Sequence, residues 1–160
     1  GFCEMPVSEY IHFTGHGGYS VYSTQSSGLL AARYDLSGIY AQLDLGHRIN
    51  KYVDHSLSGG RTISATLGGG TVDRYFAHWR ANWRVLRKIT LNTGFSYEHG
   101  SQLYTGGETY DQYGPVISLS RPITAKLSGN LGYRFYWRTS DKPGRDYSVN
   151  VVSLGLYYAF

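Results

Sequence analysis

A strict two-residue alternation, held over unusually long stretches, constrains this chain more than any other feature. From Thr124 to Arg138 one set reads Ala125, Leu127, Gly129, Leu131, Tyr133, Phe135 and Trp137. The interleaved set reads Thr124, Lys126, Ser128, Asn130, Gly132, Arg134, Tyr136 and Arg138. Asp146 to Phe160 repeats the pattern, with Val152, Leu154, Leu156, Tyr158 and Phe160 against Ser153, Gly155, Tyr157 and Ala159. Successive side chains of a strand point to opposite faces, so each stretch predicts one strand with one apolar face.

Earlier stretches carry the same signal with less regularity. Residues 18–24, 28–36 and 39–49 are expected as strands, with Ser37-Gly38 as a tight turn between the last two. Residues 51–73 admit two readings: one long excursion, or an additional strand pair bounded by the glycines at 59–60 and 68–70. Arg74 to Val85 alternates again, placing Tyr75, Ala77, Trp79, Ala81 and Trp83 on one face. Strands follow over 89–98, 112–120, 124–138 and 146–160, joined by Leu86-Arg87, the polar stretch 99–110, Arg121-Pro122 and 139–145. Residues 1–17 show no clean period and are expected as an N-terminal segment that leads into, or plugs, the structure formed by 18–160.

Composition agrees with many strands and turns. The 160 residues hold 16 Tyr and 21 Gly against 4 Pro and one Met, a balance that favours sheet over helix. Mean hydropathy is −0.33. That value suits a soluble protein, but also a membrane barrel in which only alternate residues meet lipid. No apolar run approaches the roughly 20 residues of a transmembrane helix. The start of the chain has no basic segment followed by an apolar core, so any signal peptide is expected to have been removed. Cys3 is the sole cysteine, which excludes an internal disulfide and reads as an incidental thiol. A net charge of +4 without a basic cluster does not point to nucleic acid.

Alternation of this kind also builds soluble sandwiches, apolar inside and polar outside. Three features favour the membrane. The strands exceed the roughly 5–6 residues common in soluble sheets and reach the roughly 9–11 that a tilted strand needs to cross a bilayer. Aromatic side chains gather toward strand ends on the apolar face, as at Tyr133, Phe135, Trp137, Tyr158 and Phe160. Connections alternate short and long through the second half. The expected fold is therefore all-β: an antiparallel up-and-down transmembrane barrel of about eight strands, alternatively ten, or the C-terminal strands of a larger barrel.

A last strand closing on an aromatic residue resembles that of bacterial outer-membrane β-barrels. The stretches GFSYEHGS (94–101), LGYRFYWRTSD (131–141) and GRDYSVNVVSLGLYYAF (144–160) resemble more closely the Gram-negative barrels found with exopolysaccharide biosynthesis and export systems. The resemblance implies an outer-membrane location, contact with its lipids and with the barrel-assembly machinery, and a role tied to polysaccharide. It implies that Leu154, Leu156, Tyr158 and Phe160 serve as the assembly signal. It carries over no catalytic residue.

If the apolar face meets lipid, the other face lines a lumen. Arg48, Arg74, Arg80, Arg84, Lys88, Lys126, Arg134 and Arg138 would make that lumen basic, with Asp35, Asp44 and Glu98 as acidic partners. A basic lumen suits anionic solutes or acidic polysaccharide, in the manner of a porin. A narrow barrel instead fills with paired side chains and is purely structural. Oligomeric assembly is compatible with either reading. Catalysis of lipase or protease type would draw on Asp54-His55 or Glu98-His99 with Ser56, Ser58 or Ser101, or on His47, but needs convergence in space. The histidines at 12, 16, 47, 55, 78 and 99 show no metal-ligand spacing, and the glycine runs are not followed by a helix as phosphate loops are. The sequence therefore points to a non-enzyme without a cofactor.

Overall fold

In the computed structural model, residues 1–25, 33–65, 71–86, 88–103 and 106–159 are described, apart from the side chains of 22–25, 33–37 and 65. The described residues form nine strands: β1 (Phe2–Pro6), β2 (Ile11–Gln25), β3 (Arg33–Arg48), β4 (Val53–Ala65), β5 (Thr71–Leu86), β6 (Ile89–Gln102), β7 (Thr109–Pro122), β8 (Leu127–Ser140) and β9 (Tyr147–Tyr158). They form one all-β sheet in which every strand pairs antiparallel with its sequence neighbours. The sheet is not closed: β1 pairs only with β2 and β9 only with β8. An up-and-down order of nine makes these two edge strands run in the same direction.

Nine strands differ from the expected eight or ten, for local reasons. Ser37-Gly38 does not reverse the chain; it lies inside β3, where Ser37 pairs with Val21 and Gly38 with Ser20. The glycine leaves room for Ile63, whose Cδ1 a Cβ at Gly38 would meet. Residues 51–73 are neither a long excursion nor a strand pair. They hold β4, fully in register with β5 from Val53↔Trp83 to Ala65↔Thr71. Its glycines sit where strands approach closely, since a Cβ at Gly60 would meet the Ala41 carbonyl oxygen. Residues 1–17 contribute β1 and the first half of β2 to the sheet, with Phe2 opposite His16.

One end of the sheet repeats a single turn. Val7-Ser8-Glu9-Tyr10-Ile11, Ile49-Asn50-Lys51-Tyr52-Val53 and Ile123-Thr124-Ala125-Lys126-Leu127 occupy equivalent places. The second residue's side-chain oxygen accepts from the backbone N–H of the fourth and fifth: Ser8 at 3.2 and 3.1 Å, Asn50 at 2.8 and 3.0 Å, Thr124 at 3.3 and 3.0 Å. This is the Asx or Ser/Thr turn, in which a short polar side chain replaces a backbone acceptor. The carbonyl of the fourth residue then accepts from a further strand, Tyr10 from Arg48, Tyr52 from Arg84 and Lys126 from Ala159. Each turn thus fixes its own hairpin and locks the next strand beside it.

Register separates two faces. On one, Val53–Trp83–Leu91–Leu119–Leu131–Leu154 and Leu57–Trp79–Phe95–Pro115 run as continuous apolar rows across the strands. Beyond them, toward the longer connections, lies a polar row of Arg61, Tyr75, His99 and Asp111. Among the described residues nothing covers the apolar face. Leu154 is 77 % exposed, Val152 72 % and Trp83 51 %. Among the described residues only Ile63, Val72 and Tyr110 are buried hydrophobics. A single sheet cannot bury its own face, and the described residues form no second layer.

Candidate functional site: the polar face of the sheet

The opposite face carries the charged and hydroxylated residues that alternate with the apolar set. Arg48, Arg74, Arg80, Arg84, Arg134 and Arg138 all fall on it by register, as do Asp44, Asp54 and Glu98. Lys88 and Lys126 do not: they sit in connections at the short-turn end, off the strand wall. Asp35 keeps the parity of Ile39 in β3, and its side chain lies outside the described residues, as does Phe160. Leu154, Leu156 and Tyr158 occupy one face of the free-edged strand β9.

Charge is neutralised at one end of this face and left open at the other. Toward the longer connections Arg74 Nε lies 3.1 Å from Glu98 Oε1, and the Tyr110 hydroxyl donates to the same oxygen at 2.7 Å. Glu108, in the connection between β6 and β7, gathers a second cluster. Its Oε1 accepts from Arg138 Nη2 and the Ser140 hydroxyl, both at 2.9 Å, and its Oε2 from Arg145 Nη1 at 2.8 Å. Arg138 also lies over the Tyr110 ring at 3.5 Å. Burial pushes the Glu108 carboxyl up, but the hydrogen bonds from Arg138, Arg145 and Ser140 outweigh it and hold the group below its ordinary value.

Elsewhere the acids bond to amides. Asp44 accepts from Gln42 at 2.9 and 3.1 Å, and Asp54 from Asn82 at 2.8 Å. Among the described residues no carboxylate lies within ion-pair distance of Arg48, Arg80, Arg84 or Arg134. Cavities open beside these arginines. A larger one of about 1150 Å³ lies at the short-turn end among His12, Arg48, Lys51, Asp54 and Arg84. A smaller one of about 370 Å³ lies at mid-strand, reached by both Arg80 and Arg134.

The histidine pairs fall differently from their sequence neighbours. Asp54 and His55 are on opposite faces, as are Glu98 and His99, because adjacent strand residues diverge. His55 instead meets His47 across β3 and β4, Nε2 to Nδ1 at 3.0 Å. His99 Nδ1 meets Asp111 at 2.9 Å, and the Tyr97 hydroxyl donates to the same carboxylate oxygen at 2.7 Å. Ser101 bonds to Thr109, 3.4 Å away, so the hydroxyl is engaged away from the His99–Asp111 pair. Ser56 and Ser58 lie on the polar face, across the sheet from His55. Among the described residues no group of three or more His, Cys, Asp or Glu is placed to hold a metal ion.

Glu108 and Arg145 went unmarked by the alternation, since both lie in connections outside the strands. The separation of Gln102 from Glu108 brings the latter back to its own hairpin, where its N–H bonds to Gln102 Oε1 at 3.1 Å. Comparison with protein-family models, curated proteins and solved structures returns no match for this chain.

Proposed function

We propose that these strands form the wall, or part of the wall, of a transmembrane β-barrel in the bacterial outer membrane. In this reading the apolar face contacts lipid. The polar face lines a basic lumen that passes anionic solutes or acidic polysaccharide, and the chain is not an enzyme. The observation that carries the reading is the bare apolar face, bounded toward the longer connections by the polar row of Arg61, Tyr75, His99 and Asp111. A bilayer covers such a face without a second protein layer, and charge on it costs less toward the rim than at the centre. Strand lengths, with β2 to β9 running from 12 to 16 residues, are sufficient to cross. Support for an anionic cargo comes from arginines left without carboxylate partners, because an open lumen lined by them attracts negative charge. The polysaccharide role draws on the resemblance of residues 88–160 to barrels of exopolysaccharide systems.

Conductance across planar bilayers tests the function. The expected result is an anion-selective current that falls when Arg48 and Arg84 are both changed to Gln. A filled barrel that only braces the envelope draws on the Arg74–Glu98 and Glu108 ion pairs. Inserted protein without conductance identifies that reading.

A further inference from the structure

We infer that the mid-strand cavity is a binding site for an acidic saccharide, held at two points by Arg80 and Arg134. This deepens the reading of the polar face as a ligand-facing wall and rests on it. Four residues on four strands form one register row: Arg80 pairs with Gly94, Gly94 with Val116, and Val116 with Arg134. The two residues between the arginines carry no polar side chain, so nothing in the row itself competes for the guanidinium groups. Among the described residues neither arginine has a carboxylate partner. Both nevertheless line one cavity of about 370 Å³, within the range of small-molecule sites.

The polar part of the lining suits a polyhydroxylated ligand. His78, Ser96, Gln112 and Tyr136 supply donors and acceptors, and no carboxylate lines the cavity to repel an anion. Gly114 lines it too, and a Cβ there would meet the Phe135 carbonyl oxygen, so the glycine keeps the wall thin at this point. Guanidinium groups bind carboxylates through two parallel N–H donors, which gives direction as well as charge. The arginine backbones stand three strand spacings apart, roughly 14 Å along the sheet. Across that span an extended uronate chain offers a carboxylate to each arginine, where a monomer offers one.

The test is titration of the purified protein in detergent micelles with trigalacturonate, galacturonate and maltotriose, read by calorimetry. Trigalacturonate is expected to bind more tightly than the monomer, and maltotriose not to bind. Arg80→Gln and Arg134→Gln should each weaken trigalacturonate binding about tenfold, with Arg80→Lys intermediate because charge remains without the paired donors. Arg121→Gln, on the apolar face, removes the same charge and should change nothing. Equal affinity for maltotriose, or equal loss in Arg121→Gln, would overturn the site. Absence of binding by protein that still shows heat-modifiable migration also overturns it and leaves the barrel reading standing. Loss of heat-modifiable migration in the unmodified protein speaks against the barrel itself.

Discussion

Glu108 ties Arg138, Ser140 and Arg145 together at the long-connection end. Its side chain is 5 % exposed and accepts from two arginines and a serine, so removing the charge leaves both guanidinium groups underused. Glu108→Gln is expected to cost about 2 kcal/mol, measured by denaturant unfolding in micelles. The pH dependence has a defined sign. The folded carboxyl titrates below its unfolded value, so its contribution is fully present above the unfolded pKa and disappears as pH falls through the folded one. Stability at this end should therefore persist through mild acid and drop only beneath the ordinary carboxylate range, and Glu108→Gln should abolish that dependence. None of this was legible in the sequence. Glu108 and Arg145 lie in two connections that bring them to Arg138 of β8, and alternation speaks only for strand residues. The arginines on the strands were legible, because their parity fixes their face once the strand exists.

At the scale of elements, the alternation identified β5 to β9 and their faces, while the first half was harder to read. Ser-Gly and Gly-Gly are strong turn signals, yet Gly38 and Gly60 lie in strands because neighbouring atoms occupy the space a side chain would take. Gly60→Ala should consequently destabilise the sheet by about 2 kcal/mol, where a true loop glycine of negative φ would tolerate it. The three repeated turns went unread because Ser8, Asn50 and Thr124 are different residue types sharing one acceptor geometry. Asn50→Ala removes both acceptor contacts and is expected to cost about 1 kcal/mol, while Asn50→Asp retains them. Amide exchange at Tyr52 and Val53 checks the pair directly, rising in the alanine variant alone.

The described residues form an open sheet whose apolar face and two edge strands, β1 and β9, have no partner among them. Strands β1 and β9 run in the same direction, so they cannot pair antiparallel with each other, and closure of an antiparallel wall takes an intervening strand or another odd number. What the sequence conveyed at this scale was the class of fold and the division of faces; the strand count depended on β1 and β4, whose glycine-rich or irregular stretches hide their period. If lipid covers the apolar face, a charge placed at its centre is costly and the same charge on the other face is not. Ile117→Arg should destabilise the bilayer-inserted protein by about 2–4 kcal/mol, and Ser118→Arg, one residue along β7, by much less. The most direct test of the central claim is a spin-label scan along β8 in lipid vesicles. Labels at Leu131, Tyr133 and Phe135 are expected to be accessible to membrane-dissolved oxygen, and labels at Gly132, Arg134 and Tyr136 to a water-soluble reagent. Equal access of the water-soluble reagent to both sets would contradict the account.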